Sequence, residues 1–130
     1  MSAFAIDTNV YSQFRRGEPA ALRALRTSHE IHLPLMVLGE LLAGFAAGSH
    51  AARNREELAR FLASPRVLLL KPDEKTADHY AAIYAALRRQ GTPIPTNDLW
   101  IAALARQHRL ALFSFDDHFA VVPGLSRHTP

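Results

Sequence analysis

Four short apolar runs, residues 4–6, 31–35, 67–70 and 110–113, are separated by stretches that read as helices, and this alternation constrains the fold more than any other feature. Each run is too short for a helix and is bounded by polar or turn-forming residues, as strands are. Residues 67–70 are apolar on both sides of the pleat, the pattern of a strand covered on both faces. Strands alternating with helices imply right-handed crossovers, hence a three-layer α/β/α domain around a mainly parallel sheet. A short edge strand is expected at residues 125–128, giving four to five strands in all.

The intervening stretches carry helical signals. Residues 10–16 end at Gly17, and residues 20–27 follow Pro19, which suits a first helical turn. Residues 36–47 form an apolar helix closed by Gly48, and residues 52–63 are amphipathic, with Leu58, Phe61 and Leu62 on one face. The clearest period lies in residues 73–90, where Tyr80, Ile83, Tyr84 and Leu87 recur. Asp73 and Glu74 at its start and Arg88 and Arg89 near its end complement the helix dipole. Pro93 and Pro95 bar a helix until residues 97–107. No repeat or linker interrupts the pattern, so residues 1–130 read as one domain.

Composition narrows the chemistry. The chain has no cysteine, which excludes disulfides and thiolate metal sites. It shows no signal-peptide pattern and no uncharged apolar stretch of about 18 residues, so a cytoplasmic protein with no membrane span is expected. Of its fifteen Lys and Arg residues, thirteen are Arg, and the net charge is +3. Arg forks suit phosphate, so a polyanionic partner fits.

Most of the twelve acids have a charged neighbour or an evident turn or helix-end role. Asp7, Glu40, Asp98 and Asp116 sit instead in apolar company. An ionised carboxylate there is costly unless it is paired or metal-bound. Asp7 and Asp116 lie just past the ends of strands, and Glu40 and Asp98 are expected in the first turns of helices. The helix after a strand starts at the strand's carboxyl edge, so all four are expected at one edge of the sheet. The lengths agree: about 10 helical residues descend some 15 Å from Asp98, and about five strand residues climb back some 16 Å to Asp116. Two carboxylates about 4 Å apart repel by roughly 4 kcal/mol at an effective dielectric of 20. A divalent cation relieves that repulsion, and oxygen-only ligands suit Mg²⁺ or Mn²⁺ rather than Zn²⁺. The chemistry suggested is metal-assisted phosphodiester hydrolysis. Taken singly, each acid could also be a helix cap, a dipole partner or a turn residue.

The Asp7-Thr8-Asn9 opening, the lone Glu40, the run from Asn97 to Ala103 and the run from Leu112 to Phe119 together resemble the PIN-domain family. Their order and spacing, with Val122-Pro123-Gly124-Leu125 trailing, are similar to the VapC toxins of bacterial toxin–antitoxin pairs. The resemblance implies a PIN-like fold and a Mg²⁺- or Mn²⁺-dependent endoribonuclease. It also implies a homodimer, with a cognate VapB-like antitoxin that supplies the DNA-binding part. On it, Asp7, Asp98 and Asp116 are metal ligands and Glu40 is a ligand or a water-orienting base. Asn9 and Ser114 are polar supports, with Ser114 standing where the family commonly has Thr, and Asn97 braces Asp98. The family often has a further acid two places after the fourth Asp. That place is His118 here, with Asp117 as the available substitute, and a second metal stays open. Arg15 and Arg16 are weak candidates for RNA phosphate, and Trp100 and Phe119 read as core. The rival reading is a non-catalytic RNA-binding or Mg²⁺-binding regulatory α/β module.

Overall fold

The computed structural model describes residues 2–128. The first apolar run becomes β1 (Ala3–Ile6), followed by α1 (Thr8–Arg15) and α2 (Pro19–Thr27). Next come β2 (Glu30–Pro34), α3 (Leu35–Ala47), α4 (Ala51–Leu62) and β3 (Val67–Leu70). The chain continues through α5 (Glu74–Gln90), α6 (Thr96–Gln107) and β4 (Ala111–Phe113) to a 3₁₀ turn, Asp117–Val121. The strands form one all-parallel sheet in the order β3-β2-β1-β4. Phe4 pairs with Ile31 on one side and with Ala111 on the other, so β1 lies in the middle and carries its last residue to the centre of the carboxyl edge.

Local chemistry explains the boundaries. Asp7 caps α1, accepting from the Thr8 N–H, so this helix starts before the expected residue 10. Asp73 and Thr76 form a reciprocal capping box at the start of α5. That helix ends at Gly91, which turns left-handed with φ 73°. The core is made by Phe4, Ile6, Ile31, Leu33, Ile83, Leu104, Phe113 and their neighbours, with Phe4 and Phe113 packed edge to face at 5.8 Å. Helix α6 runs through the interior against α5, α3 and β4, burying Leu99 and every residue from Ile101 to Ala105. No helix among the described residues is long and apolar enough to cross a membrane.

Three expectations are corrected. Leu68 and Leu69 are 41% and 37% exposed, so β3 is not covered on both faces: it is an outermost strand and α4 covers only part of it. Residues 125–128 form no strand, only a single bridge between Arg127 and Leu112. Leu112 donates to the Ser126 carbonyl at 2.8 Å and accepts from the His128 N–H at 2.9 Å. The three-residue β4 leaves the sheet at Ser114 and offers no more backbone to pair. Glu40, finally, is the sixth residue of α3, in its second turn, because the helix begins directly after Pro34 with no intervening loop.

Candidate metal centre at the carboxyl edge of the sheet

Asp7 follows the last residue of β1 and is 6% exposed. Its Oδ1 accepts from the Thr8 N–H at 2.8 Å, and its Oδ2 accepts from the Ser114 hydroxyl at 2.7 Å. Ser114 Oγ in turn accepts from the Asp116 N–H at 2.9 Å and the Asn9 amide at 3.5 Å. Asn9 Oδ1 accepts from the Phe115 N–H at 3.2 Å. Asn9 and Ser114 thus tie the start of α1 to the loop after β4 and fix Asp7 and Asp116 relative to each other. Both supports are placed as the sequence suggests.

Asp98 lies in the first turn of α6, and Asp116 caps the 3₁₀ turn, its Oδ1 accepting from the His118 N–H at 2.9 Å. The His118 ring bridges the two acids. Its Nδ1 stands 3.2 Å from Asp98 Oδ2 and 3.0 Å from Asp116 Oδ2. One ligand atom from each of Asp98, Asp116 and His118 lies within 4.8 Å of the other two. Glu40 reaches the same edge from α3, with its Oε1 buried and without a hydrogen-bond partner. The Thr8 hydroxyl is buried and unpartnered too. Thr8 was not singled out from the sequence, and its place next to Asp7 was the only signal.

The electrostatics bind the four acids into one group. Burial pushes the Asp7 carboxyl up from its ordinary value, against the Ser114 and Thr8 hydrogen bonds, and the charges of Asp98 and Asp116 push it further. Burial raises Glu40 first, then the charges of Asp7 and Asp98, with the nearby Thr8 and Asn97 side chains partly offsetting them. Burial also raises Asp98; His118 opposes that rise and Asp116 reinforces it. Carboxyls that resist ionisation together mark a site that gains from a cation.

The remaining candidates divide. No hydrogen bond joins Asn97 to Asp98 among the described residues, and the Asn97 side chain acts on Glu40 instead. Asp117 turns away, 97% exposed, with Arg127 at 3.5 Å. Arg15 is engaged by Glu57 at 2.6 Å, whereas Arg16 is exposed at the end of α1 and has no ion pair among the described residues. Phe119 is core, 1% exposed, and Trp100 packs on Tyr80 at 4.3 Å.

Comparison with known proteins agrees with this geometry. The PIN domain family matches residues 4–125. Ribonuclease VapC4 of Mycobacterium tuberculosis is 33% identical over 99 residues, covering 75% of each chain. Ribonuclease VapC1 of Haemophilus influenzae strain R2866 is 31% identical over 105 residues, covering 78% of each. Among solved structures, a DNA-bound VapBC from Salmonella typhimurium superposes with a TM-score of 0.86 at 26% identity, over 98% of both chains. With the family match spanning nearly the whole chain and the acids standing in the order that prompted the resemblance, this protein belongs to the PIN-domain family, within its VapC group.

Proposed function

We propose that the chain is a metal-dependent endoribonuclease that hydrolyses RNA phosphodiester bonds, and that it is the toxin of a VapBC-type pair. The observation that carries this reading is the buried, unpartnered Oε1 of Glu40 beside carboxyls that are themselves pushed toward protonation. Such a group is costly unless a cation compensates it. The donor set, rich in carboxylate and free of thiolate, fits Mg²⁺ or Mn²⁺. Asp7, Asp98 and Asp116 would hold the ion, with Glu40 a ligand or the base. A bound divalent ion supplies charge compensation and polarisation at the scissile phosphate.

The chain's own residues supply the rest. Asp7 is locked by two hydrogen bonds and Asp116 by the cap of the 3₁₀ turn, so neither must reorient when substrate arrives. Glu40 Oε1 is the atom suited to take a proton from attacking water, because burial and two neighbouring charges raise its basicity. Arg16, the uncommitted cation of α1, is suited to a flanking phosphate. RNA as substrate, a cytoplasmic setting, a homodimer and a VapB-like antitoxin complete the proposal. Contact with DNA would come only through that antitoxin.

The test is cleavage of an end-labelled structured RNA by antitoxin-free protein with Mg²⁺, Mn²⁺ or EDTA, beside Asp7→Asn. Cuts that need metal and vanish in the variant are expected. Cleavage that persists in EDTA or in Asp7→Asn would overturn the site, and RNA binding without cleavage under every condition would favour the non-catalytic reading.

A further inference from the structure

We propose that His118 Nδ1 is a direct protein ligand of the divalent ion, beside Asp98 and Asp116, and that this nitrogen tilts the site toward Mn²⁺ over Mg²⁺. The inference rests on the metal-dependent reading above and concerns a residue that departs from the all-carboxylate pattern.

Geometry favours it. In an octahedron with metal–ligand bonds of about 2.1 Å, adjacent ligands stand about 3.0 Å apart. The separations of Nδ1 from Asp116 Oδ2 and Asp98 Oδ2, 3.0 and 3.2 Å, are those of adjacent octahedral corners. The ring is also held in place. The His118 N–H is fixed on Asp116 Oδ1 at 2.9 Å, and the next residue, Phe119, is sunk in the core. Asp117, the other candidate on this turn, faces solvent beside Arg127, so His118 alone completes the trio. The unpartnered Glu40 Oε1 is independent evidence that this edge faces a cation.

Chemistry then decides the preference. Mg²⁺ is a hard cation that takes oxygen ligands and keeps its waters. An imidazole nitrogen suits first-row transition ions better, and among ions at home with carboxylates that favours Mn²⁺. Ligation uses the Nδ1 lone pair, so the ring proton sits on Nε2. A histidine that only donated a hydrogen bond from Nδ1 to the acids would steady them without contributing a metal–nitrogen bond, and would leave the choice of ion to oxygen.

The experiment is Mn²⁺ binding to the full chain by pulsed electron paramagnetic resonance and by calorimetry, with Mg²⁺ measured alongside. The comparison set is wild type, His118→Gln, His118→Asp and Asp98→Asn. His118 is half exposed, so neither substitution at it removes core packing. Expected are nitrogen modulation from directly bound imidazole in wild type and its loss in both His118 variants. The Mn²⁺-to-Mg²⁺ affinity ratio should fall about tenfold, the lower end of what losing a metal-site partner costs. His118→Asp, which restores an oxygen donor, should still bind both ions. Mn²⁺ bound through Asp98 with no His118-dependent nitrogen signal and an unchanged ratio overturns this inference and leaves the carboxylate centre standing. No Mn²⁺ bound by wild type, or binding indifferent to Asp98→Asn, overturns the centre itself.

Discussion

Neutralising Asp98 should make the metal-free protein more stable while making it deaf to metal. In Asp98→Asn the shape of the side chain is kept and one negative charge is removed from a crowded edge. Its ligand atom lies within 4.8 Å of that of Asp116. At that separation and an effective dielectric of about 20, two unit charges repel by about 3.5 kcal/mol. Solvent reaches Asp116, whose side chain is 34% exposed, and screening cuts the figure to roughly half. Against this stands the contact with His118 at 3.2 Å, a half-exposed pair whose loss costs about 0.5–1 kcal/mol. The balance is a gain of about 1 kcal/mol, or some 3–5 °C in melting temperature for a domain of this length. Metal works the other way. An ion at a hundred times its Kd stabilises the folded state by about 2.7 kcal/mol, so wild type should rise by roughly 10 °C and the variant by little. Scanning calorimetry in EDTA and in Mn²⁺ measures both shifts. A variant that melts below wild type in EDTA, yet gains as much from Mn²⁺, would refute the view that Asp98 is held under repulsion that a cation relieves.

Two other predictions use the same physics at different residues. Glu40 has a raised pKa in the fold, so the native state holds its proton to higher pH than the unfolded chain does. Its charge therefore destabilises the metal-free fold above the raised pKa, and the penalty disappears as pH falls toward the ordinary carboxyl range. Glu40→Gln should be more stable than wild type in EDTA at pH 7, and the difference should shrink to nothing near pH 4. Denaturant unfolding of the pair at several pH values measures this, and taking the difference cancels the opposite pull of His128, whose pKa is lowered by burial. A difference that does not change with pH would remove Glu40 from the charged cluster. On the RNA side, Arg16→Ala should weaken binding and lower the salt slope by about 1, while Arg15→Ala should do less because Glu57 already holds that guanidinium. Equal slopes for the two variants in filter binding across a salt series would place RNA elsewhere.

The sequence made the acid cluster legible because carboxylates among apolar neighbours need a reason, and a parallel sheet offers one place where four such reasons meet. Asp7 and Asp116 follow strands, and β1 and β4 are adjacent, so their meeting needed only the order of the strands. Glu40 meets them for a subtler reason. Pro34 ends β2 and α3 begins at once, which puts Glu40 in the second turn and its backbone below the edge. Side chains on a helix lean toward its N-terminus, and the glutamate's extra methylene lets the carboxylate climb back to the level of Asp7, which an aspartate at this position would not manage. What composition could not carry was which apolar faces are covered. The Val-Leu-Leu-Leu run of β3 reads as buried on both faces, yet Leu68 and Leu69 are exposed, because hydropathy records what a strand tolerates and only topology tells whether it lies at the edge. Nor could spacing choose between Asp117 and His118. They are adjacent on one 3₁₀ turn, and the hydrogen bond from the His118 N–H to Asp116, with Phe119 anchored in the core, decides which of them faces the acids. The identity of the ligand set therefore hangs on one turn of backbone, and a charge count along the chain would have chosen the wrong residue.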